Sequence, residues 1–309
     1  MAMQRYLLYI SYIGKPFRGA QRQVKAGTPR PDDPSTVQGR LEMGLKLLNP
    51  CNEPAIFLSS RTDSGVHALS STCHVDLYRK SGLIYDPQTV TICLNKYFLK
   101  EDVPIRVLKT YLVPNDFHCR HKATLRTYLY KLILAQSDNY KKPSLFHCPI
   151  EELDRSLFHI GQNFNIEKMK EAAKLIEGHH DFRTFMSQHV GHADRETRRV
   201  LEKIEIQESC KFGYSNYSYP SFIEPCEYHF LNIHIQSRGF LYKQVRRTVA
   251  TLVAVAQGKV SLRDIKYMLE VPAVSSWLPQ IKLVEAHGLY LSEVRYSPED
   301  VALFRESIS

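Results

Sequence analysis

The stretch SSRTDSGVHALSS, residues 59–71, begins at the end of one run that is typical of a β-strand, residues 55–60, and leads into another, residues 72–78. Aromatic and branched residues favour strands, whereas the Ser, Asp and Gly residues of this stretch favour a turn. The order predicts a loop that presents Asp63 directly after a strand, a place where functional side chains are common. Taken alone, an Arg-Thr-Asp triplet is more often a solvated turn with a local ion pair.

The composition predicts a globular protein with an anionic partner. The chain has 309 residues, enough for one large or two medium domains, and 41 Lys or Arg against 32 Asp or Glu give a net charge of +9. This surplus favours a polyanion, with nucleic acid as the first candidate. No apolar stretch approaches the roughly 20 residues that cross a bilayer, so we expect no membrane partner.

The cysteines and the first residues bear on the compartment. Seven cysteines without a CxxC pair are typical of a reducing environment. Only MAMQR, residues 1–5, precedes the first strand-like run, which is too short for an ordinary signal peptide. The expected location is therefore cytoplasmic or mitochondrial.

Hydrophobic periodicity predicts two successive βαββαβ units. The predicted elements of the first are strand 6–13, helix 35–48 with a Ser35/Gln38 capping box, strands 55–60 and 72–78, helix 90–98 and strand 105–113. Those of the second are strand 127–134, helix 166–176 with N-cap Asn165, strands 200–206 and 229–235, helix 240–257, a helix capped by Ser261 and Asp264, and strand 289–294. Residues 135–160 and 208–226 are predicted to be long loops.

This order predicts an α+β fold of two pseudo-repeated ferredoxin-like (βαββαβ) halves, joined in one mixed, mainly antiparallel sheet. The expected halves are residues 1–122, which carry the Asp63 loop, and residues 123–309. With helices on one face of such a sheet, RNA could lie across the other.

Further motifs accompany the Asp63 stretch in a fixed order along the chain. They are FRGAQRQ at 17–23, TVQGRLE from residue 36, DFHCRHKATLRTYLY at 116–130, FLYKQVRR at 240–247 and AHGLYL at 286–291. Together they resemble the motifs of the TruA-type tRNA pseudouridine synthase family over nearly the whole chain. Their sequences are most similar to those of its eukaryotic tRNA pseudouridine synthase-like 1 branch. Ala20, Gln244 and Ala250 depart from the family's usual Trp, Met and Gly.

The resemblance implies an isomerase that converts uridine to pseudouridine in RNA, with tRNA as the first candidate, without cofactor or metal and as a homodimer. It implies that Asp63 is the catalytic nucleophile, that Tyr128 packs on the flipped uracil, and that Arg246 balances the charge of Asp63. The substrate-binding residues that it implies are Arg61, Thr62, Gly65, His67, Tyr130, Gly288 and Leu289.

The residue types suit this chemistry. The isomerisation needs a carboxylate, a cation that keeps the carboxylate ionised, and a group that takes the C5 proton. If strand alternation continued to Asp63, Arg61 would point the same way. Tyr130 shares a strand face with Tyr128 and serves either the pocket or the core. Of Arg246 and its neighbour Arg247, either could instead extend to solvent.

Other functions stay open at this point. The same fold could bind RNA without catalysis, or the synthase could act on mRNA or rRNA. A metal-dependent nuclease is disfavoured, since no acidic residue neighbours Asp63 in its loop. We expect no zinc at His179, His180, His189 and His192, which lack cysteine or carboxylate partners at the usual spacing. The basic residues that could line an RNA groove as a group are Lys122, Arg126, Arg195, Arg198 and Arg199.

Overall fold

The structure, a computed structural model, describes residues 2–23, 32–80, 82–135, 150–160, 163–187, 196–209 and 228–308. The chain divides into two compact units, Met1–Arg126 with Tyr290–Ser309 and Thr127–Leu289, here called the first and the second unit. The expected division after residue 122 stays a prediction.

The first unit has the βαββαβ order that the sequence predicts. Its elements are β1 (Ala2–Tyr12), α1 (Val37–Lys46), β2 (Phe57–Leu58), β3 (His67–Arg79), α2 (Pro87–Lys100), β4 (Ile105–Val113), the start of β5 (Leu125–Ala135), most of β11 (Leu289–Arg295) and α6 (Pro298–Ala302). Strand β1 lies antiparallel between β3 and β4. On its other edge β3 pairs with β2, antiparallel, and with β11, parallel.

Local sequence explains where α1 begins. Its N-cap is Thr36, whose side chain accepts a hydrogen bond from the Gly39 N–H at 3.2 Å. The predicted capping box at Ser35 was one residue early, because the Ser35 hydroxyl donates to Asp33 instead. From this cap onward, Leu41 and Leu45 turn the apolar side of α1 into the core, where both are fully buried.

The second unit holds the remaining elements. They are the rest of β5, β6 (Leu157–Ile160), α3 (Ile166–Ile176), β7 (Gly178–Asp181), β8 (Arg198–Leu201), β9 (Lys203–Ser209), β10 (Tyr228–Ser237), α4 (Gln244–Ala256) and α5 (Leu262–Glu270). Strand β10 lies between β5 and β9 and is antiparallel to β9, while β6 is parallel to β5. Strands β7 and β8 form a separate antiparallel pair. The α+β class with mixed, mainly antiparallel strands is thus confirmed.

Several predictions for the second unit are confirmed at the level of side chains. On β10, Leu231, Ile233 and Ile235 are buried on one face, as their alternation predicts. Asn165 caps α3 through a hydrogen bond from the Lys168 N–H at 2.9 Å. The predicted capping box of Ser261 and Asp264 opens α5.

Two other predictions were wrong in part. The strand expected at 200–206 is interrupted at Glu202, whose N–H donates to the Gln236 carbonyl at 2.8 Å. The loop expected at 135–160 contains β6, while residues 136–149 and 210–226 lie outside the described part of the chain. Among the described helices, none is long and apolar enough to span a membrane.

Candidate active site

Asp63 lies in the first unit, in a tight loop between β2 and β3. The Val66 N–H donates to the Asp63 carbonyl at 3.2 Å and closes a turn. Within this turn Gly65 has φ +78, a left-handed conformation that favours glycine. Strand β2 ends at Leu58, so strand alternation does not continue to Asp63. Alternation therefore gives no reason for the side chains of Arg61 and Asp63 to point the same way. Arg61 is exposed and Asp63 is half-buried.

The FRGAQRQ segment lies against this loop. Gly19 and Asp63 form an isolated antiparallel bridge. The Ala20 N–H donates to the Thr62 carbonyl at 3.0 Å, and the Ser64 hydroxyl donates to the Phe17 carbonyl at 3.2 Å. Because Ala20 contributes its backbone, this contact does not depend on the tryptophan that the family usually has there. Two motifs far apart in sequence are therefore one structural feature.

The end of β1 holds the loop from another side. The hydroxyls of Tyr12 and Thr62 are 2.8 Å apart, and the Gly14 N–H donates to His67 Nδ1 at 3.1 Å. A Cβ atom on Gly14 would lie 1.9 Å from the Val66 carbonyl oxygen, so only glycine fits. The backbone on both sides of Asp63 is thereby fixed.

Two of the predicted substrate-binding residues are inside this framework. His67 is 1% exposed and stacks on Tyr290 with ring centroids 4.6 Å apart. Since Nδ1 accepts a hydrogen bond, the neutral ring carries its proton on Nε2. Thr62 is 6% exposed. Contact with substrate stays a prediction for both, and any effect of His67 on substrate would pass through the loop that it supports.

Arg126 is a further part of the site that the sequence did not identify as such. Its Nε donates to the Ser60 hydroxyl at 2.9 Å, and its Nη2 donates to the carbonyls of Ser59 at 2.8 Å and Arg120 at 3.1 Å. The side chain is buried, so Arg126 does not contribute to the group of basic residues that could line an RNA groove. Arg126 instead fixes the start of the loop that carries Asp63.

In the second unit, Tyr128 and Tyr130 lie on one face of β5 in different surroundings. Tyr128 is 7% exposed and contacts Phe240 edge to face, with ring centroids 5.1 Å apart. Tyr130 is fully buried, and its hydroxyl donates to the Glu285 carbonyl at 2.9 Å. Burial raises the pKa of Tyr130, against the opposing charge of Arg246. Tyr130 therefore supports the turn at Glu285.

Gly288 and Leu289 follow this turn. A Cβ atom on Gly288 would lie 2.7 Å from Cζ of Tyr130, so the backbone rests directly on the tyrosine ring. Leu289 is 5% exposed and begins β11. The backbone at Gly288 thus lies in direct contact with the Tyr130 ring, and contact of Gly288 and Leu289 with substrate stays a prediction.

The two arginines of α4 differ in what they contact. Arg246 is half-buried, and its Nε donates to the Val284 carbonyl at 2.9 Å. Arg247 donates to the carbonyls of Thr184 and Met186 and lies 4.1 Å above the Trp277 ring. Burial lowers the pKa of Arg247. Arg247 thus has a structural role, while Arg246 lies beside Tyr130.

Comparison with known proteins identifies the family. A family model described as tRNA pseudouridine synthase matches residues 172–297. The tRNA pseudouridine synthase-like 1 of Homo sapiens is 35% identical over 297 residues, 94% of this chain and 90% of the relative. The chain belongs to the tRNA pseudouridine synthase family. The Xenopus laevis protein of the same name is 32% identical over 94% of this chain and 91% of its own length. A bacterial relative, tRNA pseudouridine synthase A of Dinoroseobacter shibae, is 34% identical over 96% of this chain and 98% of its own length.

Membership of the tRNA pseudouridine synthase family confirms the predicted reaction class, an isomerase that acts on RNA. The family model begins at residue 172, so the Asp63 loop lies outside the matched segment and is related through the full-length relatives. The roles of individual residues stay predictions.

The remaining basic and histidine residues are only partly described. Lys122 forms an ion pair with Asp300 at 3.1 Å, and Arg198 and Arg199 lie on β8. The ring of His180 is 2.9 Å from the Glu177 carbonyl oxygen. His189, His192 and Arg195 lie outside the described residues.

Proposed function

We propose that this protein converts uridine to pseudouridine in tRNA, with Asp63 as the catalytic carboxylate and no cofactor. The observation that carries the assignment is the loop around Asp63. Backbone contacts from Gly14, Gly19 and Ala20 hold one side, and Arg126 holds its start. A carboxylate on a fixed backbone is what a positioned nucleophile requires.

The proposed reaction is a rearrangement of one nucleotide. The bond from N1 of uracil to C1′ of the ribose breaks, the base turns while it stays bound, and C5 joins C1′. The C5 proton is then lost and N1 gains a proton, so the product has the composition of the substrate. Asp63 either attacks the electron-poor sugar or base, or stabilises the charge that develops on it.

The other roles rest on the resemblance. Tyr128 stacks on the flipped uracil and takes or relays the C5 proton, and Arg246 keeps Asp63 ionised. Arg61 occupies the space that the flipped nucleotide leaves in its stem. The exposure of Arg61 is consistent with this role, since a residue that enters RNA must be accessible. The remaining residues shape the pocket, namely Thr62, Gly65, His67, Tyr130, Gly288 and Leu289.

An Asp63→Asn variant tests the central assignment. A neutral amide cannot act as an anionic nucleophile, so we expect turnover on a uridine-containing tRNA to vanish while RNA affinity and thermal stability are kept. Asp102→Asn is the matched control, because Asp102 lies in an exposed turn at φ +50 that asparagine tolerates. Measurable turnover by a folded Asp63→Asn protein would falsify the assignment.

The RNA substrate, the assembly and the compartment need separate tests. The names of the relatives support tRNA rather than mRNA or rRNA, and pseudouridine mapping in cells that lack the protein distinguishes these substrates. If no pseudouridine is lost, the alternative of non-catalytic RNA binding is favoured.

We further propose that the protein is a homodimer. This proposal rests on the resemblance alone, and light scattering of the purified protein tests it. A mitochondrial or cytoplasmic location is tested by cell fractionation.

A further inference from the structure

Three side chains of the first unit bring metal-ligating atoms together outside the candidate active site. They are His74, His118 and Cys119, whose ligand atoms all lie within 4.8 Å of one another. His74 stands in the middle of β3, whereas His118 and Cys119 stand in the segment between β4 and β5. None of the three belongs to the residues that the resemblance assigns to catalysis or substrate binding.

One separation in the cluster is close to that of a metal site. His74 Nδ1 lies 3.1 Å from Cys119 Sγ. In tetrahedral zinc sites the metal lies about 2.3 Å from sulfur and about 2.0–2.1 Å from nitrogen, which places the two ligand atoms about 3.5 Å apart. An ion would lengthen this contact and would also replace the Cys119 N–H, which donates to His74 Nδ1 at 3.4 Å. The Cys119 thiol, which donates to the Phe57 carbonyl at 3.1 Å, would give up that hydrogen bond.

The surroundings fix the ligands and leave one side accessible. His74 is 1% exposed, and Phe57 stacks on its ring at 5.0 Å with the planes 9° apart. Cys119 is fully buried, while His118 is half-buried and contacts the ring of exposed His121 at 4.2 Å. An ion can therefore enter past His118, and a water molecule can take the fourth position there.

The charges beside the cluster leave room for a cation. Arg5, on the neighbouring strand β1, is neutralised by two 2.7 Å hydrogen bonds to the Asp76 carboxylate. Cysteine binds a metal as the thiolate, so the Cys119 thiol would lose its proton when an ion binds.

We propose that His74, His118 and Cys119 bind a zinc ion that joins β3 to the segment before β5. Two imidazoles and one thiolate form a donor set that zinc prefers. The ion would be structural, and its position in the chain explains its effect. The segment that it fixes leads directly to Arg126, which in turn supports the Asp63 loop.

Cobalt binding tests the proposal, because Co²⁺ replaces zinc and gives a thiolate-to-cobalt charge-transfer band. The full-length protein is reduced, stripped with EDTA, dialysed and titrated with Co²⁺. We expect one equivalent to bind with this band, and zinc to displace it. Cys119→Ser should abolish the band. Mutation of a residue that only hydrogen-bonds to a metal ligand typically lowers metal affinity by roughly 10- to 100-fold. His118→Gln removes a proposed ligand itself, so it should lower the Co²⁺ affinity by at least this factor.

Cys93→Ser is the matched control, because Cys93 is a half-buried thiol in α2 that lies outside the cluster. It should keep the band and its affinity. Zinc should raise the thermal melting temperature of the wild type and of Cys93→Ser only, since a ligand stabilises only the state that binds it. His118 is half-buried, so His118→Gln should fold even if Cys119→Ser does not, and circular dichroism checks this. Absence of the band in the wild type, or equal affinity in His118→Gln, would overturn the proposal.

Discussion

At the scale of single residues, Arg126 controls the loop that carries Asp63. Arg126→Gln removes the donors to the buried Ser59 carbonyl and to the partly buried Arg120 carbonyl, and an unsatisfied buried acceptor costs about 1–3 kcal/mol of unfolding free energy. We also expect kcat to fall more than KM changes, since the loop is displaced while the RNA surface is kept. Arg120→Gln is the control, because that side chain is exposed. Urea unfolding and steady-state kinetics measure both effects, and an unchanged kcat in Arg126→Gln would show that Arg126 does not position the loop.

We expect the two tyrosines of β5, Tyr128 and Tyr130, to have different functions. Tyr128→Phe keeps the aromatic face but loses the hydroxyl, so RNA binding should persist while turnover falls by about 10²- to 10⁴-fold, the usual range for a proton-transfer group. Tyr130→Phe removes the donor to Glu285, so its main effect should be a loss of about 0.5–1.5 kcal/mol of stability. Single-turnover assays and thermal melts distinguish the two. The opposite pattern would assign the catalytic hydroxyl to Tyr130.

The sequence predicted some of these residues better than others. Asp63 and Tyr128 lie in long motifs, so their resemblance to a family is specific. Arg126 lies in the same motif as Tyr128, but two of its partners, the Ser60 hydroxyl and the Ser59 carbonyl, are distant along the chain. A sequence pattern does not record hydrogen bonds to distant carbonyls. For that reason the sequence placed Arg126 only in a group of basic residues that could line an RNA groove.

At the scale of elements, the approach of β1 to the Asp63 loop depends on Gly14. Gly14→Ala would place a Cβ atom 1.9 Å from the Val66 carbonyl oxygen, so the loop must move. Forcing an atom into a packed site typically costs about 1–3 kcal/mol, and we expect turnover to fall with it. Gly239→Ala is the control, because a Cβ atom there meets nothing within 4 Å. Equal stability and turnover of the two variants would contradict this account of the loop.

Elements with a strong period were predicted closely, and elements that depend on distant partners were not. Helix α3 has the predicted bounds, because its apolar positions recur at helical spacing. Strand β2 has only two residues, although residues 55–60 were predicted to form a strand. Its regular pairing with β3 covers Phe57 and Leu58 and is followed by a single hydrogen bond from the Ser59 N–H to the Thr72 carbonyl. Strand β6 was missed altogether. It is four residues long and pairs in parallel with β5, and so short a strand has no period to detect.

At the scale of the molecule, the net charge of +9 does not mean that every cationic side chain is available to bind RNA. Arg5 forms an ion pair with Asp76, Arg126 is buried, and Arg247 lies over the ring of Trp277. These side chains support the fold. Phosphate contacts must therefore come from exposed residues, of which Arg198 on β8 is a candidate.

RNA binding should accordingly weaken steeply with salt, because each neutralised phosphate releases counterions. If six to ten phosphates are contacted, affinity should fall by about 10³- to 10⁵-fold between about 50 and 200 mM salt. The measurement uses Asp63→Asn protein, so that the RNA is not modified during the titration.

Removing one phosphate contact by Arg198→Gln should reduce the slope of log affinity against log salt by about 1. Lys168→Gln on α3 removes the same charge from an exposed side chain outside the basic group predicted to contact RNA, and it should leave the slope unchanged. An equal change in both variants would mean that net charge alone attracts the RNA, and a flat salt dependence would mean that the surface cations do not bind phosphates.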